Sequence, residues 1–272
     1  MKRVVNLICY LFLGIMAIIT VFPFIYMVLG GLMTRTEVTS IPPTIIPSHL
    51  QFGNFAEVFE KAPFVRYFIN TVFVSAVTTF ATLVTAVLAS FALTSLEFKF
   101  KKVVIAIMVA LLMVPYESII FTNFNTIAQL GLLNTYGALI IPFLTSIFYI
   151  YYLNSYLNGI SLSYYKAAKI DGASDLEYIR KILLPMIKPA LTTVGILTFI
   201  ASWNSFLWPL LVTNDKDHRL LNNGLSAFTT ESGSDVHLQL AAATLTVIPI
   251  LIIYFVFRKE IIRGVAKNGI KG

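Results

Sequence analysis

Six apolar stretches recur along this sequence, near 7–31, 67–94, 103–122, 136–157, 189–212 and 239–257. Each is long enough for a helix to cross the hydrocarbon layer of a bilayer, which takes about 20 residues. Between them lie segments with charge, proline or turn chemistry. Of the 272 residues, 57% are hydrophobic and only 12% charged, about half the charged share of a soluble domain. One soluble core cannot bury so much apolar side chain, so the excess must face lipid or other membrane helices. The expected fold class is therefore an all-α integral membrane protein, one transmembrane domain over 1–272, with no soluble domain to split off.

The basic residues orient the spans. With a cytoplasmic N-terminus, 15 of the 20 lysines and arginines fall in inside segments and 5 outside, as the positive-inside rule requires. Six spans then put both termini in the cytoplasm. The net charge of +7 thus reports topology and not a nucleic-acid partner. The uncharged run from Val4 to Thr34 is too long for a signal peptide and reads as a retained first span. Cys9 has no partner in the chain, which excludes disulfides and cysteine metal sites; it reads as a small buried hydrophobe. Outside, residues 34–66 carry Pro42, Pro43 and Pro47 and an amphipathic stretch, Asn54–Phe59, expected to be an interfacial helix. A turn is expected at Gly131–Thr135, between the third and fourth spans.

The longest inside segment, within a loop at 158–188, is not built like a passive linker. A short helix through Ala167 and Ala168 should stop at Asp171-Gly172, because glycine accepts the left-handed conformation of a helix stop. Ser174 followed by Glu177 is a capping box that starts a second helix. In it Leu176, Ile179, Ile182, Leu183 and Met186 gather on one side, opposite Glu177, Arg180 and Lys181. Pro185 and Pro189 interrupt the run before the fifth span. Such an elbow suits either a partner's groove or the lipid surface, and the residues alone do not choose.

The stretch resembles the coupling-loop signature of ABC importer permeases, in which Glu-Ala-Ala is followed by glycine and later by Ile-x-Leu-Pro. Ala167, Ala168, Gly172, Ile182, Leu184 and Pro185 stand at the family spacing; Lys166 replaces the family's glutamate. Other fragments keep the family's order. Arg66-Tyr-Phe-Ile-Asn-Thr71 resembles the start of its second span. Met113-Val-Pro-Tyr-Glu117 and Leu130–Tyr136 resemble the third-span region of maltose-type permeases. Trp203-Asn-Ser-Phe206 with Trp208-Pro209 resembles its fifth span, and Arg263–Gly272 its glycine-rich tail. The resemblance implies a type I ABC importer permease fold in a prokaryotic cell membrane, surrounded by lipid. It implies a sugar or oligosaccharide substrate, a second homologous permease chain and two cytoplasmic ATPase subunits. An extracytoplasmic substrate-binding protein would deliver the solute. ATP and magnesium are implied in the ATPase chains, with no cofactor in this one. Lys166, Ala167, Ala168, Asp171, Gly172, Ile182, Leu184 and Pro185 would then couple the pore to those ATPases.

Four residues are candidates for the substrate pathway. Glu117 lies inside the expected third span, where an ionisable group is costly and faces a cavity or a partner chain, unless it is solvated near the outer interface. Asn123 near the same end could line an entrance or end a loop. Trp203 and Asn204 could present an aromatic face and an amide to a sugar; packing is the competing reading for the tryptophan. The three histidines have no metal-binding or catalytic spacing. The sequence carries no phosphate-loop, zinc-protease or nucleophile-elbow motif, so no ATP hydrolysis or other catalysis is expected of it. An ion-gradient-driven secondary transporter is the rival reading, and would call for related inverted halves with broken helices. A membrane-embedded enzyme would need clustered ionisable residues within the spans, for which Glu117 alone is a poor basis.

Overall fold

The computed structural model describes residues 2–230 and 233–269, with side chains described except at 2, 4, 227, 229, 230, 233, 234 and 260–269. The tail Arg263–Gly272 lies outside the described side chains. In chain order the helices are α1 (Lys2–Gly31), α2 (Arg35–Val38), α3 (Gly53–Lys61), α4 (Phe64–Ser95), α5 (Lys101–Leu111), α6 (Tyr116–Gln129), α7 (Tyr136–Ile140) and α8 (Ile147–Leu157). There follow α9 (Ser163–Ile170), α10 (Asp175–Tyr178), α11 (Leu184–Met186), α12 (Lys188–Trp203), α13 (Leu207–Val212), α14 (Leu221–Gly224) and α15 (Val236–Gly269). A two-residue antiparallel ladder, β1 (Thr229–Thr230) with β2 (Gly233–Ser234), is the one departure from helix and turn among the described residues.

Four segments are long and apolar enough to span: Val5–Gly31, Phe64–Ser95, Tyr136–Leu157 and Val236–Lys259. Two bent pairs bring the number to as many as six: α5 with α6, bent by 100°, and Asp175–Met186 with α12, bent by 84°. The expected third span, near 103–122, is thus not one straight helix. Pro115 has no N–H to continue the hydrogen-bond ladder and pushes Val114 out of helical conformation, so α5 ends and α6 restarts in a new direction. The expected fifth span, near 189–212, is likewise divided at Asn204–Phe206 into α12 and α13.

The chain folds as two compact units, Met1–Tyr67 with Leu221–Ile252, and Phe68–Leu220 with Ile253–Gly272. In the first, α1 is exposed along its apolar length, Cys9 included, so that thiol is not buried as its apolar setting suggested. The end of α1 meets α15 closely: a Cβ on Gly31 would come within 2.9 Å of the Ala241 Cα. Asn54 on α3, 8% exposed, donates its amide to the Gly31 and Met33 carbonyls at 2.9 and 2.8 Å, so the expected interfacial helix is tied down by a buried polar group. Glu37 accepts from the Thr34 and Ser48 backbone N–H groups, at 2.8 and 2.9 Å, and clamps the proline-rich segment between them. Those hydrogen bonds, Thr34's first, lower its carboxyl pKa to about 2.

In the second unit, Ala86, Phe91, Leu153, Leu157, Leu183 and Val194 share one core cluster. Val74, Ile127, Leu139, Trp208 and Leu220 share another. Polar groups pin the 213–220 segment. Asn70, 1% exposed, donates to the Asp217 and Arg219 carbonyls at 2.7 and 2.9 Å and accepts from the Tyr136 hydroxyl at 2.7 Å. Asn134, in the left-handed region at φ 58°, accepts from the Asn214 N–H, and the expected turn at Gly131–Thr135 is present.

Candidate functional sites: an elbow and a cavity

The second unit holds two features with functional chemistry. The first is the elbow from Ser163 to Ile187. α9 ends in a Schellman stop: Gly172 takes φ +81°, its N–H donates to the Lys169 carbonyl at 3.1 Å, and the Ala173 N–H donates to the Ala168 carbonyl at 2.9 Å. Ser174 and Glu177 form the complete capping box. The two arms are joined by Asp175, whose carboxylate accepts from the Tyr165 hydroxyl at 2.8 Å and pairs with the Lys169 ammonium at 2.6 Å. The Tyr165 ring packs edge-on against Tyr178, and both lean on Phe91.

After α10 the chain widens into a π turn, Ile179–Leu183. The ring of Pro185 would clash with the carbonyl four residues earlier, at Lys181, and the wider turn falls on that position. Ala168, Tyr178, Ile179 and Leu183 are buried, with Ile182 and Leu184 half-buried. Lys166, Ala167, Asp171, Gly172 and Pro185 are exposed. Leu176 does not join the buried side, as its spacing suggested. It is 69% exposed, and Ile170 is 86% exposed, so the tip of the elbow shows apolar side chains around a small-residue surface.

The second feature is a cavity of about 550 Å³ bounded by parts of α4, α5, α6, α8, α12 and α13 and the segments joining them. Its wall is mainly apolar and aromatic, with hydroxyls from Thr78, Tyr116, Ser202 and Ser205 and the amide of Asn123. Trp208 lines it with its indole N–H fixed on the Ala138 carbonyl at 2.9 Å. Thr78, 4% exposed, and Tyr116 have hydroxyl oxygens that are buried without a hydrogen-bond partner.

Of the four pathway candidates, Asn123 lines this cavity and the other three do not. Glu117 is exposed in the first turn of α6. Trp203 is buried between Phe68 and Phe199, at ring distances of 5.8 and 5.9 Å. Asn204 is exposed where α12 ends. The break at Asn204–Phe206 nonetheless matters, because Ala201, Ser202 and Ser205 around it reach the cavity. Thr78 and Ser202 were not singled out by sequence, and Tyr116 and Ser205 stood there only within family-like fragments. Among the described residues no group of three or more histidine, cysteine or acidic side chains could hold a metal ion.

Comparison with known proteins follows the same lines. The profile of a family described as binding-protein-dependent transport system inner membrane component matches residues 81–267. An arabinooligosaccharides transport system permease protein of Halalkalibacterium halodurans is 32% identical, over 94% of this chain and 93% of that protein. A trehalose/maltose transport system permease protein of Thermococcus litoralis is 31% identical, over 95% and 94% respectively. Among solved structures, a chain of a bacterial ABC transporter that imports the acidic polysaccharide alginate superposes with a TM-score of 0.84 and 25% identity, covering 95% of this chain and 96% of that one.

Proposed function

Since the chain belongs to the family of binding-protein-dependent transport system inner membrane components, we propose that it imports a saccharide as half of the membrane pathway of an ATP-driven complex. It is a multi-pass permease subunit with the type I ABC importer permease fold. The proposed complex adds a second, homologous permease chain, two cytoplasmic ATPase subunits that bind ATP and magnesium, and an extracytoplasmic protein that presents the solute. Both termini face the cytoplasm, consistent with the 15 to 5 division of basic residues.

The observation that carries this reading is the elbow. A lever must be stiff, and here a Schellman stop, a capping box and the Asp175 link to both Tyr165 and Lys169 fix the angle between α9 and α10. Its tip offers Ala167, Ile170, Gly172 and Leu176 to a groove, an apolar docking surface that shape alone can seat. Lys166 faces solvent beside it and adds a positive charge where the family has a glutamate. Closure of the ATPases on ATP would push the elbow. The π turn and the 84° bend at Ile187 then hand the displacement to α12, whose far end lines the cavity.

Co-purification of the tagged chain from its native membrane in gentle detergent tests this. The expected result is recovery of a second permease and an ATPase, with ATP-dependent uptake in vesicles. A chain that purifies alone and transports without ATP overturns the proposal in favour of ion-gradient coupling.

A further inference from the structure

Resting on the saccharide reading, we infer that this chain's part of the pathway is built for an uncharged saccharide and excludes acidic ones, with Asn123, Ser202 and Ser205 as its polar contacts. None of the described residues lining the cavity carries a charge. A carboxylate or sulfonate brought into a largely apolar wall loses its water and gains no ion pair there, which makes it the costliest solute such a wall can accept.

A sugar hydroxyl, by contrast, both donates and accepts. It can exchange its water for the side chains of Asn123, Ser202 and Ser205 without a charge on either side. The aromatic wall contributed by Tyr116, Phe148 and Tyr149 offers flat surface to the ring's apolar face. Such contacts are weak enough to release what they bind, as conduction requires. The volume, about 550 Å³, lies in the range of small-molecule sites, about 300–1,000 Å³.

The experiment compares host cells with and without this chain for uptake of labelled neutral oligosaccharides and labelled oligouronates. Deletion should lower uptake of a neutral saccharide by about tenfold or more, restored by the wild-type chain, and leave oligouronate uptake unchanged. Chain-dependent uptake of an oligouronate overturns the inference while leaving the saccharide reading intact. If no saccharide of either class depends on the chain, the saccharide reading itself falls, and the inference with it. Asn123→Ala and Ser202→Ala then test the contacts. Each should raise the half-saturation constant about threefold to tenfold, with the melting temperature of the solubilised chain unchanged. Wild-type uptake, or a loss of uptake matched by a loss of thermal stability, overturns the assignment.

Discussion

In the elbow, polar groups are used on the chain itself: Ser174 and Glu177 together cap the start of α10, and Asp175 accepts from Tyr165 while pairing with Lys169. Around the cavity the hydroxyls of Thr78 and Tyr116 meet nothing, although Thr82 and Trp208 in the same wall donate to the Phe143 and Ala138 carbonyls. Satisfied groups select one geometry and hold it, as a part that transmits force needs. Enclosed groups without a partner cost stability. The two regions occupy the same unit of the chain.

Substitutions that loosen the elbow should therefore damage transport more than stability. The largest effect is expected at Gly172, where φ +81° disfavours any side chain although open space surrounds the Cα. Gly172→Val adds about 1–2 kcal/mol of backbone strain or more. Uptake should fall about tenfold or more, while membrane insertion, read by immunoblot of the membrane fraction, stays normal. Normal uptake by this variant would remove the claim that the elbow must be stiff. Gly172→Asn, which tolerates the left-handed region, should keep most of the activity.

A smaller effect is expected from Ser174→Ala. It deletes one hydrogen bond of the capping box and costs the α10 start about 1 kcal/mol. Hydrogen exchange at Glu177 and Tyr178 should quicken, with uptake reduced less than by Gly172→Val; unchanged exchange would mean that the cap does not hold the second arm. Asp175→Asn should be milder still, because the ion pair with Lys169 is about two-fifths exposed on each side and such pairs contribute about 0–1 kcal/mol.

The smallest effect concerns pH and extends the contrast to the segment clamped by Glu37. A carboxyl held near a pKa of about 2 stays ionised well below its ordinary value of 4.5. Its contribution is full above the ordinary pKa and is lost progressively as pH falls from about 4.5 to about 2. Proteolysis of the 35–48 segment should therefore be unchanged between pH 8 and pH 6 and rise as pH falls below about 4.5. Cleavage that stays flat down to about pH 3 would show that the clamp does not form.

The elbow could be read from sequence because its determinants are contiguous. Ser174 with Glu177, and glycine after Asp171, are local signals whose geometry needs nothing from the rest of the fold. The apolar spans were legible for the same reason, although the sharp turn at Pro115 was hidden inside a run that hydropathy joins. The cavity was not legible. Thr78, Asn123 and Ser202 lie on separate segments, and a hydroxyl in an apolar helix ordinarily bonds to a backbone carbonyl of the preceding turn. Thr126, Thr193 and Thr246 do so here, at 2.9–3.1 Å. Only three-dimensional placement separates a threonine bonded in this way from one left open. The tryptophans make the same point: Trp203 packs between phenylalanines, whereas Trp208, in the same sequence fragment, reaches the cavity wall.

The meeting of α1 with α15 also governs how this chain can change over generations. At Gly14 an added Cβ would meet nothing within 4 Å. Gly31, on the same helix, faces Ala241 so closely that even a methyl group must displace backbone. Drift along the first span is therefore unequal: wide latitude through its exposed length, then a position where a lone substitution survives only if the last helix shifts with it.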